Sequence, residues 1–170
     1  MKNLRLKTGL LFGTITSGLN ILIGLALLFM GLVNYSGGSS GWVTFLILVL
    51  GIYLAANHYK NKNEGFMSLK DLIVISLWLG LITGVISGIY AVISMQIDPT
   101  MMEKARNIAE AKMEEQGNSE EQIEMAMSMM DKFMTPGFLL AMSVLMNVVF
   151  GLIIGAILGA FLKKDKPVFD

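Results

Sequence analysis

Met125 and Met129 stand four residues apart in the stretch EEQGNSEEQIEMAMSMMDKFMTPGF, which runs from Glu114 to Phe138. On a helix this spacing puts both thioethers on one side, one turn apart. Soft sulfur ligands in that arrangement suit Cu(I) or Ag(I). The competing use of methionine is packing. Met127, Met130 and Met134 fall with Ile123 and Phe133 on one helical stripe, where flexible thioethers serve as adaptable filler. Eight of the chain's 14 methionines lie between Met101 and Met134. We therefore assign no metal site and name Met125 and Met129 as the only candidates. The row Ile123, Met127, Met130, Phe133 and Met134 is the expected interaction face. No cofactor is implied.

Other chemistry is sparse. The chain has no cysteine, which excludes disulfides, thiolate metal sites and cysteine nucleophiles. His58 is the single histidine and has no second ligand of its kind. No G-x-S-x-G, H-E-x-x-H, Walker or dinucleotide pattern occurs, so no catalytic residue is assigned and an enzyme is not expected. Nucleic acid is not among the expected partners. Asn20 and Asn147 are the strongest hydrogen-bonding side chains within the apolar runs. They are expected to bond between helices, each contributing about 0.6 kcal/mol. No ionisable side chain lies inside those runs, and Pro99, Pro136 and Pro167 avoid helix interiors. Proton relays and broken-helix transporters normally need one or the other.

The elements that carry these residues follow from the distribution of charge. Hydrophobic residues make up 54% of the 170, and mean hydropathy is +0.65. That is too apolar for an ordinary soluble domain. No Asp, Glu, Lys or Arg occurs between Lys7 and Lys60, from Leu72 to Ile97, or from Phe133 to Leu162. The first run is too long for one helix and breaks at NYSGGSSG, residues 34–41. Four spans are predicted, at about 8–33, 41–58, 69–97 and 136–162. The basic start MKNLRLK followed by so long an apolar run reads as a retained signal anchor rather than a cleaved leader. Trp42 and Tyr59 sit at the two ends of the second span, where aromatic belts belong.

Capping signals mark the boundaries. Ser68 with Asp71 and Ser119 with Gln122 have capping-box spacing. Asp98-Pro99 and Thr135-Pro136 place a cap before a proline. Residues 98–135 thus form an acidic, Met-rich amphipathic helical hairpin between the third and fourth spans, with Met102, Ala105, Ala109 and Met113 striping its first arm.

Orientation follows from lysine and arginine. The N-terminus, the second-to-third connection and the C-tail together hold nine basic and four acidic residues, whereas 98–135 holds four basic and nine acidic. Both termini are expected in the cytoplasm and the hairpin in the periplasm, above the outer leaflet of a bacterial inner membrane.

Glycine recurs every fourth residue at Gly9 and Gly13, at Gly80, Gly84 and Gly88, and at Gly151, Gly155 and Gly159. Such rows let helix backbones approach closely. Bundle packing is the first expectation, with homo-oligomer contact or a ligand groove as alternatives. GLLFGTIT at Gly9 and GLITGVIS at Gly80 are alike, which leaves a duplication of two-helix units open.

The four-span plan, the GFMSLKD approach to the third span and the acidic Met-rich stretch resemble the family catalogued as domain of unknown function 4199. The resemblance covers essentially the whole chain. It implies a bacterial membrane protein, mainly of Bacteroidota, with no established activity. The expected fold is all-α: a four-helix transmembrane bundle with an extracytoplasmic two-helix hairpin. The expected function is non-enzymatic protein–protein interaction or assembly through the hairpin, in contact with the lipid bilayer. The alternatives are a small transporter or channel built on the glycine faces, and soft-metal binding by the hairpin.

Overall fold

The computed structural model describes residues 2–30, 38–98 and 100–166. Six helices run through them: α1 (Lys2–Phe29), α2 (Gly38–Lys62), α3 (Leu69–Ile97), α4 (Thr100–Glu115), α5 (Glu120–Phe133) and α6 (Pro136–Leu162). The described residues hold no strand beyond one isolated bridge. Four helices are long and apolar enough to cross a membrane, over Asn3–Leu27, Gly41–Lys62, Leu69–Ile97 and Pro136–Leu162. The fold is the all-α class read from the sequence.

Three boundaries differ from that reading. α1 is already helical at Lys2 rather than near Thr8, because lysine, leucine and arginine are good helix formers. α2 begins at Gly38, inside the expected Gly/Ser turn, and passes His58 to end at Lys62. Lys60 and Lys62 in its last turn complement the helix dipole there. The rest of that turn and Val33 lie outside the described residues, as do Pro99 and Pro167.

α3 is the central helix, packed along α6 and α1, with α2 laid against α1 and more lightly against α6 and α3. The α3–α6 register is antiparallel. A Cβ added at Gly80 would lie 2.5 Å from the Asn147 carbonyl oxygen, at Gly84 2.6 Å from the Val144 Cα, and at Gly88 3.1 Å from the Leu140 Cα. From the other side, Gly151 and Gly155 face Ser76, and Gly159 faces Leu69. The α1–α3 register is parallel: Gly9 abuts Ile75 and Trp78, and Gly13 abuts Leu79 and Ile82. The glycine rows therefore bring backbones together at distances no side chain would permit. α2 joins through a lone glycine, Gly51, pressed against Thr16 of α1.

Two hydrogen bonds cross these seams. The Thr83 hydroxyl donates to the Gly13 carbonyl at 3.3 Å, and the Ser143 hydroxyl donates to the Gly84 carbonyl at 3.0 Å. The asparagines expected in this role do not fill it. The Asn147 amide donates to the Ser143 carbonyl of its own helix at 2.9 Å, because that carbonyl lies one turn below it. Both polar atoms of the Asn20 amide are buried without a hydrogen-bond partner among the described residues.

The core is densest where the N-terminus of α1, the C-terminus of α2, the N-terminus of α3 and the C-terminus of α6 meet. Ile52, Ala55, Tyr59, Met67, Leu72 and Ile75 are fully buried there. Tyr59 is thus a core residue, not the interfacial one expected, because α2 runs on past it. Trp42 at the other end of α2 is 71% exposed. His58 is half-buried, with its ring 5.3 Å from that of Phe12.

The same end gathers the basic segments. Met67 and Lys164 exchange backbone hydrogen bonds at 2.9 and 2.8 Å, tying the α2–α3 connection to the C-tail. Arg5 pairs with Asp71 at 3.3 Å, and Lys166 with Glu64 at 2.8 Å. Asp71 also closes the capping box with Ser68. Glu64 and Gly65 take the left-handed backbone that turns the connection back.

Candidate functional site

The hairpin of α4 and α5 is attached to the bundle at its roots. At the first root, the Asp98 carboxylate accepts from the Thr100 backbone N–H at 3.0 Å and from its hydroxyl. These bonds hold the carboxyl below the usual carboxylate range, the Thr100 hydroxyl contributing most. At the second root, Thr135 caps α6 by accepting from the Phe138 N–H at 3.4 Å.

The turn between the arms is set by local chemistry. Gly117 has φ of +77°, its N–H donates to the Glu114 carbonyl, and Asn118 N–H donates to the Met113 carbonyl. This pair of bonds is a Schellman ending, which needs a residue free to be left-handed. Ser119 then opens α5 with a reciprocal capping box to Gln122. The expected signals at Ser68 and Ser119 thus form as read.

Ile123 and Met127 are the two buried residues of α5 and lie where it meets α4. The facing stripe of α4, Met102, Ala105, Ala109 and Met113, is half-buried throughout. Arg106 and Asp131 clasp the arms at 3.1 Å on the exposed side. Beside this clasp lies an open groove of about 800 Å³. Ile123 and Met127 contribute apolar surface to it. Glu110 and Glu114 from α4, and Glu120, Glu124 and Asp131 from α5, supply carboxylates, with Arg106 and Lys132 also in the lining.

The five residues expected to share one interaction face divide. Ile123 and Met127 are buried, Met130 and Met134 are half-buried, and Phe133 is 47% exposed. Phe133 departs because it shares the side of Met125 and Met129, which are 63% and 51% exposed. Its ring lies 4.8 Å from that of Phe138 in the first turn of α6. The 125, 129, 133 spacing is legible in the sequence, but its link to Phe138 is not.

A second cavity, of about 530 Å³, opens between α2 and α6 near Trp42. Phe45, Leu48, Met146 and Phe150 wall it, and Asn147 adds the polar element. Among the described residues, no group of three or more His, Cys, Asp or Glu side chains is placed to hold a metal ion.

A family profile described as "Protein of unknown function (DUF4199)" matches residues 11–164. The chain belongs to this family. The match takes in every glycine of the seams except Gly9, both arms of the hairpin and the groove between them. No curated protein and no solved structure matches the chain.

Proposed function

We propose that the chain is a non-enzymatic membrane protein that docks a second protein through its helical hairpin. The observation that carries this reading is the groove: an apolar floor at Ile123 and Met127, rimmed by carboxylates, on a hairpin rooted at the bundle's end. An apolar core within a polar, solvent-accessible rim is the usual anatomy of a protein-binding surface. Methionine at the floor lets it repack against a partner. The glycine rows are occupied by α1–α3 and α3–α6 contacts, which supports packing over a solute path for those faces. The positive-inside rule favours the basic end, closed by the Met67–Lys164 bridge, in the cytoplasm. The hairpin is then periplasmic and the membrane is the bacterial inner membrane.

The test is photo-crosslinking in native membranes from probes incorporated at Glu124 and Ser128. We expect one discrete adduct, lost from the Ser128 probe when the exposed groove carboxylates Glu114 and Glu124 are replaced by lysine. An adduct of twice the chain's own mass identifies the partner as a second copy. If groove positions give no discrete adduct in cells, the docking reading fails.

A further inference from the structure

We propose that the side of the hairpin opposite the groove rests on the bilayer surface, through the row Met125, Met129 and Phe133. The three are exposed and recur every fourth residue, so they form one apolar stripe along α5. Their exposure shows that, among the described residues, no other helix is packed along this stripe.

Continuity identifies what covers it. Phe133 touches Phe138, with rings 4.8 Å apart. From Phe138 the same helical spacing leads down α6 to Met142, Leu145 and Val149, all exposed on a helix that crosses the membrane. Among the described residues no other helix covers those side chains, so they face lipid. The row on α5 therefore continues the lipid-facing stripe of α6 around the Thr135 cap. Met134 and Thr135 alone separate the two helices. Three Cα steps span at most roughly 11 Å, so the end of α5 is held near the membrane surface.

Charge agrees with this posture. At about 100° per residue, Glu120, Glu124 and Asp131 stand on the far side of α5 from the row. The apolar row can meet lipid while the carboxylates stay in water, as in an interfacial amphipathic helix. The hairpin then presents its groove away from the membrane.

The absence of native cysteine makes the test direct. Met125→Cys, Met129→Cys and Ser128→Cys each give the full chain a single site for an environment-sensitive fluorophore. The labelled proteins are reconstituted at one copy per phosphatidylcholine vesicle. Quenching by spin-labelled lipid is compared with quenching by aqueous iodide. We expect the lipid-to-iodide ratio at 125 and 129 to exceed that at 128 several-fold and to approach that of a probe at Met142→Cys. Equal iodide quenching at 128 and 129 overturns the proposal. So does shielding of 129 that appears only at high protein density, which assigns the row to a second copy. Shielding from both quenchers at every density also overturns it, because the chain itself then covers the row. Should a label at 129 disturb folding, the label at 125, exposed on the same row, gives the same reading.

Discussion

The hydroxyl of Ser143 on α6 donates to the carbonyl of Gly84 on α3 at 3.0 Å, across a seam where the two backbones nearly touch. The bond exists because Gly84 has no side chain to hold the helices apart. Gly84→Leu and Gly155→Leu should each destabilise the bundle by about 1–3 kcal/mol or more, as overpacking does. Ser143→Ala should cost only about 0.6 kcal/mol. Unfolding by SDS or heat in detergent checks the ranking. Wild-type stability in both glycine variants would refute close packing at this seam.

Asn20 makes the opposite case. Its amide is buried without a partner, and such a group loses hydration with no bond in return. Asn20→Leu should therefore raise stability by about 1 kcal/mol. A loss of stability in the same unfolding assay would mean that the amide makes a bond in the bilayer that outweighs its desolvation.

Much of this architecture was legible because it is local. Ser68 with Asp71 and Ser119 with Gln122 announce their caps within four residues, and charge-free runs announce the spans. The glycine rows were visible as rows. Their partners were not, since the match of Gly80 to Asn147 depends on the register between distant segments. Gly51 carried no signal, because a lone glycine gains meaning only from Thr16 opposite. Tyr59 carries an interfacial signal in the sequence, but α2 runs on to Lys62 and Met67 packs into the same core, which buries it. Phe133 lies at the border between two stripes, about 60° from Met130 and about 40° from Met129, so periodicity alone could place it on either.

The basic end should respond to acid. The Lys166 ammonium beside Glu64 holds that carboxyl below its ordinary value of 4.5. A lowered folded-state value means the pair contributes above the unfolded value and is lost as pH falls through the folded one. Hydrogen exchange at the Met67 and Lys164 amides should therefore quicken as pH drops below about 4.5, relative to the exchange expected for an open chain. Lys166→Ala should return the Glu64 titration, followed by NMR, to the ordinary range. An unchanged titration in that variant would assign the shift elsewhere.

Topology tests the charge argument. Reporters fused after Lys62 and at the C-terminus should read cytoplasmic, and one inserted at Gly117 should read periplasmic. The turn at Gly117 is exposed with open space around it, so an insertion there leaves the arms intact. A cytoplasmic reading at Gly117 would invert the orientation.

The methionines of α5 serve two purposes that substitution can separate. Met127 is 5% exposed at the seam with α4, and Met130 is half-buried beside it. A carboxylate there enters an apolar contact with no partner, which costs far more than a lost methionine. Met127→Asp with Met130→Asp should unfold the hairpin, read as lost helicity and lost groove crosslinks. Met125 and Met129 are exposed, and leucine preserves their bulk and apolar surface while removing sulfur. Met125→Leu with Met129→Leu should leave helicity and crosslinking unchanged. Soft-metal binding by this pair predicts that the leucine variant alone loses Cu(I), because only thioether sulfur is a ligand. Titrating Cu(I) into both double variants in detergent therefore discriminates the two uses. Wild-type protein that binds Cu(I) no better than the leucine pair confines these methionines to apolar contact, whereas a clear drop in affinity on removing the two sulfurs establishes a metal site on the row.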